Sequence, residues 1–405
     1  MMWRAAMVAA MVLLLSAVQP AEAGIATVAI DFGSEWIKMA LVKPGTPMDI
    51  VLNRPLSHDK LRVLTVRSES KRKTANVVAL RKGERTFGND ALNTAIKYPK
   101  TGFRYLSLLL GQRMDSPAVK EYQLMFPEHK LEALPGHNTV AFRLDEDTLY
   151  PVEELVAMIL EHANELASEY AEQPISSHII IIPPFFSQAE RRALLSAAEL
   201  AGLNVLRLMS SSVATGLNYG VFRRKEFNAT EQHILFYDIG STNTIASVGT
   251  FSQVKDKSSK VPQVQIKGVG YDRLLGGFQW DRLLQQHLLK AFRAQHGSKL
   301  KGDPGANPRA LAKLLKEAQR VKTILSANTE TFAQIEGLFE ERDFKCKVTR
   351  DELEAMAAHL YPRVLKPVET ALAAANLTLD QLTNLIIIGG GVRMPKIQDI
   401  LVALR

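Results

Sequence analysis

Short runs of apolar residues punctuate this chain, at Ile25–Ile30, His178–Ile182, Leu203–Met209, Ile234–Tyr237 and Leu385–Ile388. Each has the length of a strand buried on both faces. Helical stretches fall between them. One is expected from Gln188 to Ala201, stopped by Gly202, a residue that accepts the left-handed conformation at a helix end. A second spans Asn307 to Leu325 after a Gly/Pro/Lys-rich link, and a third begins at Asp351 and runs to Leu360. Strands alternating with helices predict an α/β sheet architecture. Two segments break the pattern. Arg54 to Ser68 is polar and basic with one short apolar patch and reads as a loop insertion. Arg4, the apolar stretch Ala5–Val18 and the small-x-small Ala21-Glu22-Ala23 read as a signal peptide over 1–23, too short to span a membrane, which sends a mature chain starting at Gly24 into the secretory pathway.

Three of the apolar runs end in glycine-rich turns. Asp31-Phe32-Gly33-Ser34 follows the first, and Asp238-Ile239-Gly240-Ser241 follows the fourth. Glycine lets backbone approach a bound group, turn amides can cradle phosphate oxygens, and the leading aspartate can hold a hydrated divalent cation. One such turn is ordinary. Two facing each other would clamp one nucleotide. The fifth run leads into Gly389-Gly390-Gly391-Val392-Arg393, where missing side chains leave room for a flat base and ribose and Arg393 is placed to cover the base. In isolation this would be a plain strand-to-helix turn.

Composition narrows the setting. The chain has 405 residues, 46% of them hydrophobic, and a mean hydropathy of −0.03, enough for two core-bearing lobes and too polar for a membrane protein in bulk. The single Cys346 excludes an internal disulfide and is expected as a free, buried thiol. Asn228-Ala229-Thr230 and Asn376-Leu377-Thr378 are sequons open to glycosylation along the secretory route. The net charge of +8 and its clusters Lys71-Arg72-Lys73 and Arg223-Arg224-Lys225 read as a solvated basic face, with no nucleic-acid motif beside them and no membrane partner implied. The nine histidines lack metal-ligand spacing.

The three glycine turns resemble the nucleotide-binding domain of the 70-kDa heat-shock protein family, as do Pro184-Phe185-Phe186-Ser187-Gln188-Ala189-Glu190-Arg191-Arg192-Ala193 and Ala201-Gly202-Leu203-Asn204-Val205-Leu206-Arg207-Leu208. Ser34-Glu35, Tyr105-Leu106 with Leu109-Leu110-Gly111, Phe126-Pro127-Glu128-His129 and Tyr219-Gly220-Val221-Phe222-Arg223-Arg224-Lys225 resemble its large endoplasmic reticulum branch. The resemblance implies an actin-like, two-lobed α/β fold. Lobe I would span 24–227 and lobe II 228–405, with ATP or ADP and Mg²⁺ in the cleft. It implies nucleotide contacts from Asp31, Gly33, Ser34, Asp238, Gly240, Ser241, Gly276, Gly277, Lys322, Ser326, Gly389, Gly390 and Arg393, with Asp31 and Asp238 holding Mg²⁺ through water. Lys322 and Ser326 lie one helical turn apart.

Departures from the family bear on turnover. Ser107 stands where efficient members carry a lysine, Ser211 where they carry a glutamate and Ile245 where they carry an aspartate, so no residue is assigned a catalytic role. Phosphoryl transfer to water depends on such cations and polar groups. Glu35 adds negative charge beside the phosphates unless it points away, and Thr242 and Asn243 also replace family residues. ATP binding with weak or absent hydrolysis is therefore expected. So is a role in folding and stress response in the endoplasmic reticulum lumen, as nucleotide-exchange partner of the lumenal 70-kDa chaperone. Lobe II reads as incomplete at its C-terminal end, without substrate domain or retention signal, so clients are expected only for a longer form. A sugar or acetate kinase of the same superfold is the alternative, but beyond Asp31 and Asp238 no catalytic aspartate offers itself.

Overall fold

The computed structural model describes residues 26–45, 48–53, 72–256 and 259–404. The expected leader at 1–23 and the insertion at 54–68 lie outside these residues. The first apolar run becomes β1 (Thr27–Phe32), which turns at Gly33 into β2 (Trp36–Val42). Helices α1 (Pro117–Met125) and α2 (Val152–Ala171) follow, then β3 (Ser177–Ile182), α3 (Gln188–Leu200), β4 (Val205–Ser210) and α4 (Ser211–Phe222). The sheet order is β4, β3, β1, β2, with the short strands Asp49–Ile50 and Thr74–Ala75 both on β2. Strand β3 is buried at every position, as its unbroken isoleucines predict for a parallel strand between neighbours. Helix α3 opens with a reciprocal Ser187/Glu190 capping box and is followed by Gly202 at φ +70°.

The arrangement repeats. Strand β5 (Gln232–Ile239) pairs antiparallel with β6 (Thr244–Asp256) and parallel with a later strand, while β7 (Ser259–Asp272) lies outside β6. Helices α5 (Gly277–His296) and α6 (Pro308–Leu325), the ribbon β8 (Glu330–Phe339) and β9 (Arg342–Thr349), and helices α7 (Arg350–Met356) and α8 (Lys366–Ala375) lead to that parallel partner, β10 (Leu382–Ile388), and then to α9 (Pro395–Val402). The second sheet is thus ordered β7, β6, β5, β10. Asp31 sits between Ile181 of β3 and Lys38 of β2, and Asp238 between Ile388 of β10 and Ile245 of β6. The two aspartates therefore hold equivalent registers in two copies of one motif.

Two large cores match the two copies. One is built mainly from residues between Ala26 and Leu203, the other from residues between Leu235 and Leu401. They are not sealed from each other. Phe278 of α5 and Leu315 of α6 belong to the first core, with the Phe278 ring 4.9 Å from that of Tyr105.

Two expectations change. The helix read from Asp351 to Leu360 stops at Met356, after a Thr349/Glu352 capping box, and a separate short helix Tyr361–Val364 follows. Pro362 falls in the opening turn of the second helix, where its missing N–H costs nothing. Cys346 is half-buried rather than buried: on the ribbon strand β9 it shares the inward face with Phe344 and Val348 and packs only partly against the second core.

Candidate functional site

Between the lobes lies a cleft of about 320 Å³, floored by both glycine turns. Gly33 and Ser34 line it from lobe I, and Gly240, Ser241 and Thr242 from lobe II. Their shapes are set locally. Gly33 N–H donates to the Asp31 carbonyl at 3.0 Å, and Gly240 N–H to the Asn243 carbonyl at 2.9 Å. A Cβ at Gly33 would fall 2.5 Å from the Trp36 carbonyl oxygen, so the turn excludes any larger residue. The two turns touch: the Ser34 and Thr242 hydroxyls are 2.7 Å apart. Ser107 Oγ donates to Ser34 at 3.0 Å and Asn243 Nδ2 to Thr242 at 3.3 Å, so a run of hydroxyls crosses the floor from one lobe to the other.

The second turn leans on α5. Gly277 N–H donates to the Gly240 carbonyl at 3.0 Å and Phe278 N–H to the Ser241 carbonyl at 2.8 Å, so the turn's carbonyls satisfy N–H groups that the helix start leaves open. Gly276 is buried against this turn, where a Cβ would lie 2.5 Å from the Ser241 carbonyl group. Lys322 of α6 donates to the Gly277 carbonyl at 2.8 Å and to Asp281 at 2.7 Å. Burial pushes the Asp281 carboxyl up to about 6, against the downward pull of Lys322. Ser326, one turn further along, donates to the Thr323 carbonyl.

The triple glycine approaches the same turn from β10. Gly389 adopts φ +89°, and a Cβ there would meet the Ile239 carbonyl oxygen at 2.1 Å and Asp238 Oδ1 at 2.5 Å. Gly390 faces open space and Arg393 is exposed. Of the thirteen expected contact residues, Asp31, Gly33, Ser34, Gly240 and Ser241 line the cleft. Asp238, Gly276, Gly277 and Gly389 pack directly behind its second turn, and Lys322, Ser326, Gly390 and Arg393 lie outside the cleft lining.

Ser107, Ser211 and Ile245, the three positions at which departures from the family were expected, all line the cleft. Glu35 does not; its carbonyl accepts from Asn76 N–H at 2.9 Å, and its charge acts on Tyr105 and Asp281 instead. Two charged features escape sequence reading. Lys38 Nζ sits 2.9 Å from Asp31 Oδ2, with only 13% of each side chain exposed. Counting the β1–β2 hairpin outward from Gly33 pairs these two residues, so that signal was available. The other is Arg273, which lines the cleft from lobe II and forms an ion pair with Glu190 of α3. No local pattern announces a pair so far apart in sequence. A second ion pair, Arg282 with Glu121 at 2.7 Å, also joins the lobes. Among the described residues no cluster of three or more His, Cys, Asp or Glu side chains is arranged for a metal, and no helix is long and apolar enough to cross a membrane. Asn228 and Asn376 are both exposed.

Two facing copies of a strand–glycine-turn motif, with a cleft between their lobes, define a class of protein, and comparison with known sequences identifies it. The family model described as "Hsp70 protein" matches residues 56–404, so the chain belongs to the Hsp70 family, with its α/β, actin-like two-lobed fold. Within that family it is similar to proteins named "Hypoxia up-regulated protein 1". It is 50% identical to the Danio rerio protein over 378 residues, which are 93% of this chain and 37% of that protein. Over the same share of this chain it is 49% identical to the Xenopus laevis protein, covering 56% of it, and 46% identical to the Homo sapiens protein, covering 36% of it. The chain thus spans between about a third and little more than half of these relatives.

Proposed function

We propose that this chain is a nucleotide-binding module of a chaperone, in which ATP or ADP bridges the two lobes and sets their relation to one another. The observation that carries this reading is the meeting of the two glycine turns, in equivalent registers, at the Ser34–Thr242 contact. Their amides would take the phosphates, and Lys322, Ser326, Gly389, Gly390 and Arg393 the adenosine. The residues fit Mg²⁺ with a change of emphasis. Lys38 already neutralises Asp31, so the ion would be held chiefly through Asp238 and the phosphates, where it would screen their charge. In this reading the lobe boundary lies at 227/228, with Tyr219 and Phe227 packing across it on Phe236 and Phe251 of the second sheet.

Turnover is slow or absent in this reading. The cleft presents the Ser107 and Ser211 hydroxyls and the Ile245 side chain where hydrolysis calls for fixed charge around the transferring phosphate and the attacking water. The similarity to hypoxia up-regulated proteins supports residence in the endoplasmic reticulum lumen and a role in protein folding under stress, as exchange partner of the lumenal 70-kDa chaperone. The exposed Asn228 and Asn376 suit glycosylation on that route. Thermal unfolding of the chain from Gly24 onward, with and without Mg-ATP, tests the core of the reading. At about a hundred times the dissociation constant the ligand adds roughly 2.7 kcal/mol, a rise of several degrees. An unchanged midpoint at millimolar ATP would sink it.

A further inference from the structure

Resting on that nucleotide reading, we infer that Arg273 is the cation that receives the terminal phosphate, and that it makes the site prefer a nucleoside triphosphate to a diphosphate. The residues placed to hold adenosine do not line the cleft, whereas both phosphate turns do. A nucleotide laid across the turns therefore directs the far end of its phosphate chain into the cleft. The polyphosphate brings several negative charges there. Lysine is absent from the position of Ser107, and Lys38 is committed to Asp31. Among the described residues lining the cleft, Arg273 is the one lysine or arginine.

Arg273 is held for this task by two residues, Glu190 and Phe185. Glu190, only 1% exposed, accepts one terminal nitrogen of its guanidinium. The same carboxylate accepts Gln112 Nε2 at 3.0 Å, and its other oxygen takes the Ser187 N–H at 2.7 Å in the capping box of α3. Phe185, a further cleft residue, lies under the guanidinium at 4.9 Å, and Tyr271 packs on Phe185 at 5.1 Å. Both oxygens of Glu190 are thus engaged by fixed partners, and it anchors the arginine without enclosing it. The Arg273 side chain stays 39% exposed, which leaves guanidinium N–H groups for a phosphate in the forked geometry that arginine favours. Arg273 belongs to lobe II and Glu190 to lobe I, so a phosphate held there would tighten an existing bridge between the lobes.

Isothermal titration of the full chain with ADP and with the non-hydrolysable imido analogue of ATP, both with Mg²⁺, tests this. The wild type should bind the triphosphate more tightly. Arg273→Gln should weaken triphosphate binding by about ten- to a hundredfold, the worth of a charge-assisted contact, and ADP binding by less than about threefold. Arg273→Lys, which keeps the charge and loses the fork, should fall between and serves if the glutamine variant is poorly folded. Equal losses for both nucleotides, or none, would reduce Arg273 to a structural tie between lobes and overturn the inference. If the wild type bound neither nucleotide, the nucleotide reading would fall and the inference with it.

Discussion

The triple glycine offers the sharpest separation of structure from binding, because its first two residues differ in what surrounds them. At Gly389 an alanine would have to hold φ near +89° with its Cβ 2.1 Å from the Ile239 carbonyl oxygen, well inside contact distance. The left-handed conformation costs an L-residue about 1–2 kcal/mol, and forcing an extra methyl into packed backbone about 1–3 kcal/mol. Gly389→Ala should therefore lose about 2–5 kcal/mol, which at a little over ~1 °C per kcal/mol for a chain of this size lowers the melting midpoint by about 2–6 °C. At Gly390 the backbone is right-handed helical, φ −76° and ψ −31°, and a Cβ meets nothing within 4 Å. Gly390→Ala should leave the ligand-free midpoint within about 0.5 kcal/mol of wild type. If ribose and base lie against Gly390, the same variant should reduce the rise produced by Mg-ATP. Differential scanning fluorimetry with and without nucleotide reads both. A Gly389→Ala protein as stable as wild type would refute the close approach to Ile239, and a Gly390→Ala protein that bound ATP normally would remove Gly390 from the adenosine site.

Acid should weaken the fold between about pH 6.5 and 4. Burial lowers the His129 and His162 imidazoles to about 4, so the unfolded chain takes up these protons first, and stability present above pH 6.5 is lost as pH falls, up to about 3 kcal/mol for each. Asp281, raised to about 6, acts in the opposite sense, since the folded state binds its proton more tightly and gains stability as pH drops from about 6 toward 4. Urea midpoints at pH 7.5, 6 and 5 should decline, and the decline should flatten in His129→Gln; constant midpoints would contradict the buried, neutral histidines. Lys38→Met removes the charge that neutralises Asp31, so the ratio of nucleotide affinities with Mg²⁺ and with EDTA should grow about tenfold over wild type. An identical ratio in the two proteins would show that Lys38 and the metal do not share a role.

Features carried by local chemistry were legible before the fold was known. An apolar run ending in Asp-x-Gly-Ser states both a strand and its turn, and the repetition of that phrase at Asp31 and Asp238 pointed to a clamp made of two facing turns. Capping chemistry placed α3 within a residue at its far end. The need for small residues at Gly276 and Gly277 was visible, but not that Gly276 lies against the Ser241 carbonyl and that Gly277 N–H donates to the Gly240 carbonyl. The Arg273–Glu190 contact was invisible because it depends on how two lobes meet, and no periodicity encodes that. Asymmetry between the halves was equally hidden. The register that gives Asp31 a lysine across the hairpin gives Asp238 an isoleucine there.

The Ser34–Thr242 contact has a kinetic side. The hydroxyls that meet at 2.7 Å belong to the two turns a phosphate chain would have to lie between, so the floor is latched across the path of its own ligand. Entry must then begin with a parting of the lobes, and the observed association rate should level off with rising nucleotide concentration at the frequency of that parting. Release meets the same barrier from the other side. A protein built this way sets how long a nucleotide stays by how often it opens, and any partner that holds the lobes apart would govern both directions at once.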